Sequence, residues 1–154
     1  MKITICGSIA FYTEMGKLKE ELEERGHIVV MPLLSEVVPQ YSDDRKINFA
    51  KYIEEHGGMD AFPPTDPIWT AKYDALNGHF TKIEWADGIV VANYEKRGIE
   101  GYIGGNTLIE IGLAFYLKKD IYILNPISSD ISYKQEIYGM KPVLLNGDVS
   151  KIPT

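Results

Sequence analysis

Chemically, one glutamate stands apart in this chain. Glu110 is the single charge in the run Thr107-Leu-Ile-Glu-Ile-Gly-Leu-Ala114, which follows a segment punctuated by glycines at 98, 101, 104 and 105. Glycines allow close backbone approach and conformations that side chains forbid, so a ligand could lie against that segment. The apolar run, continued by Leu117, has the spacing of a largely buried helix. Two explanations of the carboxylate are open. Thr107-x-x-Glu110 fits a capping box, in which the threonine accepts from a first-turn amide and the glutamate reaches back to the capping residue; this contributes about 1 kcal/mol to the helix and implies no chemistry. Alternatively, the carboxylate projects into a pocket at the helix N-terminus, where free amides and the macrodipole favour its ionised form. An ionised carboxylate can be a nucleophile.

Other chemistries lack their residues. His27, His56 and His79 show no H-E-x-x-H or paired spacing, and Cys6 stands alone, so neither a metal set nor an internal disulfide is expected. G-x-S-x-G, G-x-G-x-x-G and Gly-Lys-Ser/Thr are all absent, which disfavours a Ser-His-Asp hydrolase, a dinucleotide fingerprint and a P-loop. No cofactor is expected. A carboxylate mechanism survives by elimination. Around it, the amides of Gly7 and Ser8 could hold a phosphate or hydroxyl, or simply form a tight turn. His79 lies beside an apolar stripe and reads either as a hydrogen-bonded core histidine or as a ligand contact. Cys6 reads as core filler.

The 154 residues suffice for one domain spanning 1–154, and the net charge of -6 argues against a nucleic-acid polymer as partner. With no run of 18 apolar residues and no cleavable leader pattern, no membrane partner is expected and a cytoplasmic location is.

Alternating elements must position these groups. Lys2 to Cys6 reads as a buried strand ended by Gly7-Ser8. Thr13 could then cap a helix carrying Met15, Leu18 and Leu22, stopped by Gly26. His27 to Met31 is a second strand. Past Leu33 to Tyr41, Ser42 can cap a helix through about His56, with Ile47, Ala50 and Ile53 in register and Gly57-Gly58 closing it. Met59 to Pro67 is an irregular loop, and Asp66-Pro67 opens a helix to about Trp85. Ile89 to Asn93 is a third strand, buried on both faces. The long connection from Asn93 to Asn106 is a functional-loop candidate. Ile121 to Leu124 forms a fourth strand, Ser132 to Met140 a short helix, and Pro142 to Leu145 an edge strand, since proline cannot donate to an inner ladder. Strands alternating with helices predict an α/β, doubly wound, five-stranded, mostly parallel sheet of flavodoxin or Rossmann type, with helices on both faces and ligands beyond the carboxyl ends of its strands.

Three stretches in sequence carry a resemblance. Cys6-Gly7-Ser8-Ile9, Ala86-Asp87-Gly88-Ile89-Val90-Val91-Ala92 and Asn106-Thr107-Leu108-Ile109-Glu110-Ile111-Gly112-Leu113-Ala114 together resemble the nucleoside 2-deoxyribosyltransferase superfamily, including its deoxynucleotide N-glycosidase branch. The resemblance implies an enzyme acting on a small nucleoside or nucleotide, assembled as a homo-oligomer. It implies that Glu110 attacks C1′ of the sugar and that Gly7, Ser8 and Ile9 border the sugar or its 5′-phosphate. Asn106 and Thr107 would orient groups at the start of the helix. Two departures stand out: the resemblance implies an aspartate where this chain has Gly104, and another where it has His79. His79, Tyr102 or Asn106 are the residues available to substitute. The same losses fit a non-catalytic nucleotide-binding or sensing module on the same fold.

Overall fold

The computed structural model describes residues 1–32 and 53–154. The chain divides into two compact units, one of Met1–Pro32 with Phe80–Thr154 and one of Leu33–His79.

The first unit holds the sheet. Its strands are β1 (Lys2–Cys6), β2 (Ile28–Val30), β3 (Gly88–Val91), β4 (Asp120–Ile123) and β5 (Val143–Leu144), in the order β2-β1-β3-β4-β5. Every neighbouring pair is parallel, so the sheet is parallel throughout, with β5 at an edge as its proline predicts. The helices are α1 (Tyr12–Glu24), the last turns of α2 (Ile68–Trp85), α3 (Gly105–Tyr116) and α4 (Lys134–Gly139).

Side-chain alternation along the strands sorts the core into two layers. Ile3, Ile5, Val90 and Tyr122 pack with Met15, Leu18 and Leu22 of α1 and with Val149 and Ile152 near the C-terminus. Cys6, Ile89, Val91, Ile121 and Ile123 pack with Ile83 of α2, Ile111 and Ala114 of α3 and Ile137 of α4. Strands buried on both faces need the continuous apolar runs seen here. Each fully buried isoleucine contributes roughly 1.5–3 kcal/mol. Gly88 meets a packing demand between β3 and β4: a Cβ there would lie 2.9 Å from the Asp120 carbonyl oxygen.

Polar groups fix the edges. The Thr4 hydroxyl donates to the Lys82 carbonyl at 2.8 Å, and Asp87 Oδ2 accepts from the Lys2 amide at 2.7 Å. Lys119 Nζ donates to the carbonyls of Glu84 and Ala86 at 2.8 and 2.6 Å, satisfying groups that the end of α2 would otherwise leave bare.

Thr13 does not cap α1. Ser8 instead caps a 3-10 turn over Ile9–Phe11, which runs directly into α1, so the helix opens at Tyr12 with Phe11 at the capping position and Thr13 inside its first turn. Gly26, at φ +89, stops the chain as expected.

In the second unit, Gly57 and Gly58 at φ +87 and +93 close a helical turn that includes residues 53–55. Met59–Ala61 forms a 3-10 turn. Asp66 Oδ1 accepts from the Ile68 amide at 2.9 Å, the cap predicted for Asp66-Pro67. The expected loop from Leu33 to Tyr41 and the Ser42-capped helix with Ile47 and Ala50 lie outside the described residues. Among the described residues, no helix is long and apolar enough to cross a membrane.

Candidate active site

Strand order reverses between β1 and β3, because the chain leaves β1 for β2 on one side and returns to place β3 on the other. Ligands of open α/β sheets lie beyond the carboxyl ends of the strands at such a point. Here those ends are Cys6 and Val91, which pair in register. Gly7 follows β1 because a Cβ there would sit 3.0 Å from the Ala92 carbonyl oxygen and 3.3 Å from its Cβ; its absence lets the two loops close on each other.

Glu110 belongs to this end of the sheet. α3 starts at Gly105, with Gly104 at the capping position and no side-chain cap, so Thr107 is already inside the helix and no acidic residue occupies its first turn. The capping-box explanation of Glu110 therefore fails: one turn too far along, the glutamate has no capping amide to reach back to. Both residues are buried instead, Thr107 at 3% and Glu110 at 7% exposure. A Glu110 carboxylate oxygen lies within 4.8 Å of the Cys6 Sγ. Burial pushes the Cys6 thiol well above its ordinary pKa, and the adjacent Glu110 carboxylate pushes it further. The proton thus stays on sulfur.

The long connection after β3 is more ordered than a bare loop. Lys96 and Ile99 exchange both backbone hydrogen bonds at 3.0 Å around Arg97 and Gly98, which sit at φ +54 and +79, the backbone of a tight hairpin turn. Tyr102 N–H returns to the Tyr94 carbonyl at 3.0 Å. Buried Asn93 anchors the connection: its side chain donates to the Asn125 carbonyl and accepts from the Asn125 amide, both at 2.8 Å.

This hairpin delivers Lys96 to the β1 loop. Its Nζ donates to Ser8 Oγ at 2.8 Å and lies 5.2 Å from the centre of the Tyr102 ring, within cation–π range. Ser8 Oγ accepts from Lys96 and, at 3.4 Å, from the Ala10 amide, which leaves its O–H as a donor. Burial lowers the Lys96 ammonium pKa, with the Arg97 charge adding to the effect. Tyr102 in turn covers Gly104, its ring edge and hydroxyl standing 3.2 Å from where a Cβ would be.

The residues singled out in the sequence are thus distributed as follows. Gly7, Ser8 and Ile9 form the loop beyond β1, Tyr102 and Gly104 touch, and Asn106 is exposed in the first turn of α3. His79 is buried on α2 as the last residue of the second unit. Two further residues of this end of the sheet are not legible in the sequence. Cys6 reads in the sequence as core filler because its contact with Glu110 spans 104 positions. Lys96 carried one available signal: a lysine in a long loop after a strand at the switch point.

A doubly wound, all-parallel sheet with an acid-bearing helix at the β1–β3 crossing defines the class of domain. In fold it is similar to a 2-deoxyribosyltransferase from Bacillus psychrosaccharolyticus, with a TM-score of 0.50 and 18% identity over 91% of this chain and 82% of that one. The CMP N-glycosidase of Clostridium botulinum gives a TM-score of 0.43 and 16% identity, over 94% of this chain and 85% of that one. No family model and no curated protein matches the chain.

Proposed function

We propose that the protein cleaves the N-glycosidic bond of a nucleoside or nucleotide, as an N-glycosidase or deoxyribosyltransferase-like enzyme, with Glu110 as nucleophile. The observation that carries this reading is the buried Glu110 carboxylate, beside Cys6 at the carboxyl end of β1 and beyond the first turn of α3. The three-part sequence resemblance supports the choice of substrate. In the reaction a Glu110 oxygen bonds to C1′ as the C1′–N bond breaks and the base departs with the bonding pair. Water, or the nitrogen of a second base, then displaces Glu110 from C1′. A carboxylate beneath the ring suits the positive charge that builds on the sugar.

Lys96 favours a 5′-phosphorylated substrate. A half-buried ammonium beside the Ser8 hydroxyl, with Arg97 adjacent, offers charge and donors to a phosphate monoester. Asn106 and Thr107 are candidates to orient the sugar at the start of α3. Tyr102 is a candidate hydrogen-bond donor to sugar or base, and His79 a candidate acid by its place in the sequence. Assembly with further copies of the chain is also part of this reading, supported by Ile109, Phe115 and Tyr116, which leave apolar surface exposed on α3.

The test is a panel of nucleosides and nucleoside 5′-monophosphates followed by chromatography for free base. Wild type should release base, and Glu110→Gln should lose about a thousandfold or more in rate. Equal release by both would remove Glu110 from the mechanism. A second reading, a binding module without turnover, is favoured by the lack of carboxylates at Gly104 and His79. Calorimetric binding of a nucleotide with no base released over hours would select it.

A further inference from the structure

We infer that Cys6 is a positioning residue for Glu110, its thiol donating the hydrogen bond that fixes the carboxylate at the carboxyl end of β1. The inference rests on the reading of Glu110 as nucleophile and adds a residue that composition alone marks as filler. Three observations bear on it. Cys6 is wholly buried and is the last residue of β1, paired with Val91, so its backbone is held by the centre of the sheet. It lies in the layer packed against α3, the helix that carries Glu110, whereas Ile5 beside it faces α1. Its sulfur lies within 4.8 Å of a Glu110 carboxylate oxygen.

A thiol in this place has a chemical consequence that a hydroxyl would not. S–H is a weak donor, so it orients an anion while withdrawing little of the electron density that the anion needs to attack carbon. Burial beside the carboxylate keeps the sulfur protonated, so it neither competes as a nucleophile nor shares the charge. Orientation and reactivity are thereby divided between two side chains.

Because Cys6 is the single cysteine of the chain, its S–H infrared band can be assigned without labelling. In the wild-type protein the band should be broadened and displaced to lower frequency by the carboxylate acceptor, and Glu110→Ala should return it toward the position of a free thiol. This readout needs no turnover, so it separates failure of the contact from failure of the proposed activity. In base-release assays, Cys6→Ala should lower kcat about three- to tenfold, as expected for loss of one modest hydrogen bond. KM should stay within about twofold, since orientation of the nucleophile acts on the chemical step. The acid limb of the kcat/KM profile should move to higher pH, and Cys6→Ser, which retains a donor, should recover part of the loss.

An S–H band unmoved by Glu110→Ala overturns the inference. So does a Cys6→Ala enzyme with unaltered kcat and pH profile at equal folded fraction, which would return Cys6 to a packing role. A band absent until a chelator is added would show the sulfur bound as thiolate to a metal, and would overturn it equally.

Discussion

The ring edge and hydroxyl of Tyr102 stand 3.2 Å from the point at which a side chain on Gly104 would begin. The backbone of Gly104, at φ -88 and ψ 174, is open to any residue, so glycine supplies room there and not conformational freedom. Tyr102 thus fills the space where the resemblance implies an aspartate. If its hydroxyl takes over a hydrogen bond to sugar or base, Tyr102→Phe should slow base release about 10- to 100-fold. Gly104→Asp alone should also slow it, by displacing the ring, while Tyr102→Ala with Gly104→Asp should recover activity above either single variant. Steady-state rates decide; a Tyr102→Phe enzyme as fast as wild type excludes the hydroxyl.

Lys96 should divide phosphorylated from unphosphorylated substrates. Its ammonium sits 2.8 Å from Ser8 Oγ, where a 5′-phosphate would find charge and a hydroxyl together. Lys96→Ala is expected to raise KM for a nucleoside 5′-monophosphate about tenfold or more, the size of one charged hydrogen bond. The matching nucleoside should be almost unaffected. Equal effects on both would assign Lys96 to the fold of the loop.

Two glycines of the same connection should respond unequally to alanine. Gly101 is buried at φ +64, and a Cβ on it would collide with the Pro126 carbonyl oxygen. Gly98, at φ +79, faces open space. Gly98→Ala should therefore cost about 1–2 kcal/mol, the left-handed penalty alone. Gly101→Ala should cost about 3 kcal/mol or more, since backbone must also move. Denaturant melts of both variants provide the comparison, and equal losses would show that the packing against Pro126 is soft.

Acid sensitivity should have a component from His27. Its ring is 4% exposed, and Nδ1 accepts from the Met1 amino group at 3.4 Å. Burial, followed by the positive charges of the Met1 amino group and Arg25, lowers its pKa from the ordinary 6.5. An unfolded chain therefore binds the proton at a higher pH than the folded one. The stability contributed by neutral His27 is complete above pH 6.5 and is lost as pH falls below that value toward the lower folded pKa. His27→Gln should flatten the fall in unfolding free energy between about pH 7 and 5.5. An unchanged slope would assign the acid sensitivity to other groups.

What the sequence disclosed follows from how local each signal is. β1 was legible over Lys2–Cys6 because its apolar run ends at Gly7, and Asp66-Pro67 marked the start of α2 because both the cap and the proline are nearest-neighbour chemistry. The start of α3 was misplaced. Thr107-x-x-Glu110 matches a capping box as written, but Gly104 begins the helix earlier, and only burial of Thr107 and Glu110 shows that their side chains turn inward. Cys6 and Lys96 were illegible as partners of Glu110 and Ser8, since those contacts exist only once β1 and β3 lie side by side.

The alternation of β1 between two apolar layers carries a hazard of its own. A slip of one residue would exchange Ile5 for Cys6, and hydrophobicity would barely object, because both belong in an interior. The carboxylate would then meet an alkyl group in place of the thiol, in a protein that still looked folded. Polar anchors away from Glu110 favour the correct alignment: the Thr4 hydroxyl on the Lys82 carbonyl and the Lys2 amide on Asp87. These anchors on the strand help to decide which side chain arrives beside Glu110.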